Sequence, residues 1–240
     1  MDPDSAEGAC NQEARDRAAS YGFLAWLFLE NADAAFLERL LAMDGAGGAP
    51  PSLPAGGTST AILAGLHAMR SYLAEGAYAS TEEACLDLAT QRTRLFRGLA
   101  AGCGPPPPYE AVYRCPKEGT EPEVMLQVGS FYREAAVRLP PDYSERLDYI
   151  GLELDLMRLL CEEEDRRWTV GDREGASRWR VRQQGFLREH LLAWAPRYCE
   201  VLMADKNAGF YRGVAQLLIA FLDSEASSLP DRRNVAVSGR

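Results

Sequence analysis

Apolar residues recur at three- and four-residue intervals through most of the chain, in stretches separated by blocks of proline and glycine. Tyr21, Leu24, Ala25 and Phe28 share one face at the 3.6-residue period and predict a helix over about 12–30. Phe36, Leu40 and Leu41 predict a shorter one over about 33–43. The DGAGGAPPSLPAGG that follows reads as a flexible linker. Further helices are predicted at about 59–78 and 81–101, the second opened by Thr81 as cap with acids in its first turn. GCGPPPPYEAVYRCPKEGTEP reads as a non-helical loop, and helical periodicity returns from Glu121 to Leu139, stopping at Pro140-Pro141. The proline-free block from Asp142 to Ala195 predicts helices at about 145–170 and 173–194, broken near TVGDREG. Pro196 suits the first turn of another helix, and a last one is predicted over about 208–225.

Proline placement supports this division. An interior proline costs a helix ~3 kcal/mol, and the 14 prolines fall between the periodic blocks. Ala and Leu far outnumber Val, Ile and Thr, which favours helix over sheet. The chain of 240 residues is therefore expected to form an all-α fold. It would be a single bundle of about 8–10 helices, with sub-lobes at about 12–139 and 142–226 joined by a Pro-rich hinge near 102–122 or 139–144. Residues 1–11 and the tail 227–240 are expected to be disordered.

Charge and chemistry narrow the function. A net charge of −9 with a pI near 4.9 argues against nucleic acid as the partner. The longest apolar run, Phe23 to Leu29, is far short of the ~20 residues a membrane span needs. The acidic N-terminus does not read as a secretory signal, and six cysteines without a Cys-x-x-Cys pair read as reduced thiols of a cytoplasmic protein. Phosphate-loop, dinucleotide and GxSxG patterns are missing. His67 and His190 read as helix-surface or half-buried residues, and neither lies in a metal-ligand pattern. No catalytic residue, metal or cofactor is expected. The run Glu162-Glu163-Glu164-Asp165 reads as a solvated face.

The stretch 142–165 holds nine carboxylates against two arginines, Arg146 and Arg158. Asp148, Asp155 and Glu162 recur every seven residues, and Ile150, Leu154, Met157 and Cys161 form an apolar stripe on another side. One reading is an amphipathic helix packed in a bundle. The other is a docking face for a peptide carrying arginines beside an apolar segment.

Taken in order, the motifs resemble the TorD/DmsD family, with the related NarJ group, of cytoplasmic chaperones for molybdenum-containing redox enzymes. YGFLAWLFL resembles the family's first helix. TRLFRG, containing Leu95 and Phe96, and PPPPYEAVY, containing Tyr109, Glu110 and Tyr113, are similar to its LF segment and Pro-rich loop. ERLDYIGLELDLMRLL resembles its E-P-x-D-H motif, and FLREHLLAWAPRYCEVL and FYRGVAQLLIAFL its last helices. The chain departs from the pattern where Arg146 replaces the motif's proline, Tyr149 its histidine, and Arg92 an aromatic before the LF pair.

The resemblance implies an all-helical, non-enzymatic protein. Its partner would be the precursor of a molybdopterin-containing oxidoreductase, whose twin-arginine leader or apo form it holds until cofactor insertion. Leader binding is carried to Glu145, Asp148 and Tyr149, with Asp148 meeting an arginine while Tyr149, Leu95, Phe96 and Tyr113 supply apolar and aromatic contact, and Tyr109 and Glu110 are counted with the site. The tail's Arg232-Arg233 pair faintly resembles such a leader. No nucleic acid, no stable membrane insertion, and a monomer or domain-swapped dimer are expected. The alternatives are a NarJ-like factor for a non-exported reductase, an enzyme using buried carboxylates with a metal, and a helical DNA-binding regulator.

Overall fold

The computed structural model describes residues 3–43, 59–97, 104–114, 121–137 and 146–228. The expected linker after Met43, the Pro140-Pro141 stop, Glu145, and the tail from residue 229 with its Arg232-Arg233 pair lie outside the described residues. Ten α-helices and one π-helical segment are found among the described residues, so the fold is all-α. They are α1 (Pro3–Leu29), α2 (Ala34–Ala42), α3 (Thr60–Glu75), α4 (Thr81–Phe96), α5 (Glu110–Arg114), α6 (Glu121–Glu134), α7 (Ile150–Thr169), α8 (Arg173–Phe186), α9 (Leu192–Ala204) and α10 (Phe210–Ser227).

Several boundaries differ from expectation for identifiable reasons. α1 begins at Pro3, where a missing N–H costs nothing, so the stretch 3–11 is helical and not disordered. The cap of α4 is Ser80, one residue before Thr81: its hydroxyl accepts from Glu83 N–H at 3.3 Å, and the Glu83 carboxylate accepts from Ala79 N–H at 2.6 Å. α6 stops at Glu134, short of Leu139, because Ala136 turns left-handed (φ 53°) and Val137 N–H returns to Tyr132 O at 3.1 Å. In α2, Leu37 is buried and Leu41 faces out.

The largest difference is at Pro196, which starts no helix. α8 runs through a π-helical turn, Leu187–Leu191, directly into α9, and Pro196 lies inside. The widened turn comes just before Leu192, whose carbonyl the proline ring must clear.

Packing follows from the amphipathic faces. α1 and α7 are antiparallel: Arg15 meets Asp165, Gly22 lies under Arg158, and Leu29 packs on Gly151. Ile150, Leu154, Met157 and Cys161 of α7 are all buried, so the expected apolar stripe is core. α3 and α10 approach closely enough for backbone to meet backbone. A Cβ on Gly65 would lie 2.6 Å from Leu217 N, and one on Gly213 would lie 2.7 Å from Met69 N. Cys161 and Cys199 are buried thiols, and burial pushes Cys161 up to about 12.

A polar cluster ties four helices together inside this core. Arg17 of α1 donates to Glu225 of α10 at 2.6 Å and to Gln183 of α8, while Tyr21 O–H donates to Glu225 at 2.8 Å. Gln183 in turn donates to Glu164 of α7 at 2.9 Å. Glu164 is therefore buried, and the acid run 162–165 is not a uniformly solvated face.

The helix contact at Gly65 gives the first prediction. Gly65→Val should cost more than about 2 kcal/mol, because backbone must move to admit the side chain. Gly8→Ala, with open space around it, should stabilise by no more than about 1 kcal/mol. Urea unfolding of both variants reads the contrast.

Candidate functional site

The loop ahead of α5 and the segment ahead of α7 run side by side. Glu110 N–H donates to Asp148 O at 2.8 Å, and Ile150 N–H donates to Pro108 O at 3.0 Å, making an isolated antiparallel bridge between Tyr109 and Tyr149. The prolines at 105–108 have no N–H to satisfy, so this loop enters the pairing as an acceptor. The Asp148 carboxylate then starts α5. Its Oδ2 accepts from Ala111 N–H at 3.1 Å, and both its oxygens accept from Arg146, at 2.9 and 2.7 Å. A helix of five residues has no stability of its own. This cap is why EAVYR is helical within a stretch expected to be loop.

Two more segments converge here. The Arg146 guanidinium lies 4.7 Å over the Tyr109 ring, whose centroid is 5.6 Å from that of Tyr149. Tyr149 O–H donates to Phe28 O at 2.7 Å. Arg92 donates to Phe28 O and Leu29 O at 2.6 and 2.7 Å. Both side chains thus satisfy carbonyls at the C-terminal end of α1, where a cation also meets the negative end of the helix dipole.

Behind the bridge lies a buried acidic pair. The Glu110 carboxylate accepts from His190 Nδ1 at 2.8 Å and from Arg114. Glu153 Oε2 accepts from Trp194 Nε1 at 3.0 Å, while its Oε1 meets no donor. Burial, and then the nearby Glu110 charge, push the Glu153 carboxyl well above the usual range. The protonated form of Glu153 is thereby favoured. His190 stacks on Phe186 with centroids 4.8 Å apart and is buried. It is neither a surface nor a half-buried residue, because the π-helical turn carries it inward.

The expected site residues divide accordingly. Asp148, Tyr149, Tyr109, Glu110 and Tyr113 gather at the bridge; Tyr113 O–H donates to Pro106 O at 2.7 Å, and its ring lies between Trp194 and Tyr198. Leu95 and Phe96 are buried in the core beneath, Phe96 against Phe28 and Tyr211. Glu145 lies outside the described residues. The arginine that Asp148 meets is the chain's own Arg146. Sequence reasoning missed Glu153, His190 and Trp194. One cue was present for Glu153, which falls three residues after Ile150 and four before Met157, on the apolar stripe of α7. Nothing in the sequence marked the π-helical turn.

Residues 58–200 match the model of the family described as nitrate reductase delta subunit, a stretch that includes the whole bridge. The chain belongs to this family, that of the TorD and DmsD chaperones. It is similar to the chaperone protein TorD of a Psychrobacter species, 24% identical over 90% of this chain and 92% of that one. It is 31% identical to TorD of Aeromonas salmonicida over 59% of this chain and 62% of that relative's length. A probable Tat proofreading chaperone DmsD of Haemophilus influenzae is 30% identical over 49% of this chain and 51% of its own. These relatives are named as chaperones. Among the described residues, no cluster of His, Cys, Asp and Glu is arranged to hold a metal, and no helix is long and apolar enough to cross a membrane.

Two measurements test this junction. Asp148→Ala should destabilise by about 2–4 kcal/mol, since it leaves Arg146 and the Ala111 N–H without their acceptor, and should speed hydrogen exchange at Ala111. Glu153 has its folded pKa raised, so the folded state binds more protons than the unfolded one above the ordinary carboxylate range. Stability then falls as pH rises through that window. Glu153→Gln should flatten this fall and exceed the wild type in urea midpoint at pH 8; equal slopes from pH 5 to 8 would refute the protonated assignment.

Proposed function

We propose that this protein is a maturation chaperone that binds the twin-arginine leader, and with it the apo form, of a molybdopterin-dependent oxidoreductase precursor until the cofactor is inserted. The observation that carries the reading is the convergence of the family's motifs on one junction. The end of α1, Arg92 ahead of Leu95 and Phe96, the Tyr109–Tyr113 loop and the Asp148–Tyr149 segment are joined there by hydrogen bonds between residues up to 121 positions apart. In this reading the junction shapes the part of the fold that presents the leader-binding surface.

The chemistry of the guest fits an acidic helical host. A leader offers two guanidinium forks and then an uncharged apolar stretch, so its receptor needs carboxylates beside an apolar surface. Each charge-assisted hydrogen bond contributes roughly 1.5–3 kcal/mol, and ordering a disordered peptide removes several kcal/mol. The balance points to an affinity near micromolar, about 8 kcal/mol, which holds a precursor and still releases it.

Tyr109, Tyr113 and Tyr149 are half-buried at the junction and supply aromatic contact in this reading. Asp148 acts through Arg146 and the cap of α5, shaping the loop that presents those rings. The family's description as nitrate reductase delta subunit favours a second reading, a NarJ-like factor for a non-exported reductase.

Calorimetric titration with synthetic leaders of candidate molybdoenzymes, each paired with an Arg-Arg→Lys-Lys control, separates the two. Micromolar binding weakened by the lysine swap is the expected result. No heat with any leader, together with capture of a mature apo-reductase, would replace it with the NarJ-like role.

A further inference from the structure

Three carboxylates lie buried behind the Tyr109–Tyr149 bridge, those of Glu110, Asp148 and Glu153, each with 0% exposure. Among the described residues two guanidinium groups bond to them, and both are committed. Arg146 holds Asp148 through two bonds, and Arg114 holds Glu110 from one turn along α5. Glu153 has no such partner. Trp194 Nε1 meets one of its oxygens at 3.0 Å, and the other meets no donor. One helix wall brings Glu110 and Glu153 together: His190 and Trp194 stand four positions apart, the first donating to Glu110 at 2.8 Å and the second to Glu153.

We propose that this cluster is a proton-controlled latch on α5: the proton on Glu153 keeps the loop docked, and its loss releases residues 109–114 from α7 and α9 while the rest of the bundle stays folded. The inference goes beyond the leader-binding reading and does not depend on it.

The charge count sets the direction. Glu110 of α5 and Asp148 ahead of α7 oppose ionisation of Glu153, and the two arginines that face them are spent on those same carboxylates. Glu121 of α6 acts on Arg146. The π-helical turn brings His190, which serves Glu110. From α9 come the neutral Trp194 indole and Tyr198, whose hydroxyl meets no partner. Burial, and then the Glu110 charge, hold the Glu153 carboxyl above the usual range. The latch is therefore closed at low pH and opens as pH rises through the titration of that carboxyl.

α5 is the element that yields. Five residues hold no helix on their own, and three anchors dock this one. Ala111 N–H meets Asp148 Oδ2 at 3.1 Å, Glu110 meets His190, and the Tyr113 ring lies 5.7 Å from that of Trp194 and 5.6 Å from that of Tyr198. The second and third anchors use the two residues that bracket the Glu110–Glu153 pair. An ionised Glu153 sets an unpaired charge there, which hydration relieves. Its neighbours on α7 and α9, Leu154, Leu156, Ala195 and Cys199, are fully buried. α5 is a thin cover, with Val112 and Arg114 exposed on its outer side, so water enters by lifting it.

The test follows the full chain by nuclear magnetic resonance from pH 5 to 9. The Trp194 indole N–H reports the Glu153 proton, and amide protection factors, corrected for intrinsic exchange, report the loop. The indole signal should titrate, and protection at Ala111 should fall at least tenfold over the same range. Leu217 and Leu218 of α10 should keep theirs. Glu153→Gln, neutral throughout, should leave Ala111 protected at every pH. A titrating indole with constant protection at Ala111 would show that no latch exists, and an indole that does not titrate would show that Glu153 does not switch. Protection lost in α5 and α10 together would assign the effect to global stability and overturn the proposal. If circular dichroism shows Glu153→Gln unfolded, the wild-type titration decides alone. His190→Gln separates the imidazole: a fall at Ala111 that persists in it supports Glu153, and one that vanishes makes His190 the switch and the assignment wrong.

Discussion

Burying a carboxylate in a helical bundle is tolerable only when donors stand at fixed positions around it, and that requirement organises this molecule. Glu110, Asp148, Glu153, Glu164 and Glu225 are all buried. Each draws its partners from other helices or loops: Arg17 and Tyr21 come to Glu225, Gln183 to Glu164, Trp194 to Glu153, His190 to Glu110, and the α5 N-terminus to Asp148. Apolar contact alone would leave the helices free to slide along their stripes. The polar ties fix register, because a shift of one turn would strand a charge in the core at a cost of several kcal/mol.

How much of this was legible depends on the range of the interaction. The helices were, because their stripes repeat every three or four residues and prolines bound them. The wrong boundaries were set by single local contacts: the Ser80–Glu83 capping box, and the left-handed Ala136 that ends α6 early. Helix α5 was invisible, since its cap comes from a residue 37 positions downstream. The π-helical turn that buries His190 and admits Pro196 was equally invisible, for periodicity reads the average pitch and misses one widened turn. In the acid run, only Glu164 of the four points inward to Gln183, and consecutive identical residue types hide that difference.

The departures from the family pattern have a common physical sense. Arg92 and Tyr149 stand where the pattern has an aromatic and a histidine, and both reach the same carbonyl, Phe28 O. Arg146 stands where the pattern has a proline, and it neutralises Asp148 while covering the Tyr109 ring. Arg92 and Arg146 add donors at places where buried acceptors converge, and Tyr149 keeps one there. The acceptors of the junction are therefore met from within.

Self-sufficiency at the junction sets its carboxylate apart from those on the helix surface. A carboxylate that is buried and doubly paired, as Asp148 is, contributes more to shape than to capture, because an outside cation must replace a near-ideal bidentate partner and open a helix start as well. A carboxylate on an accessible helix face has neither obligation. When such a carboxylate is held by an arginine from the same surface, the pair stays open to solvent and contributes little to stability. Arg158 over Gly22 and Arg15 at Asp165 have that character, whereas Arg146 at Asp148 does not. Removing one of them costs the fold less than removing Asp148, whose partners start a helix.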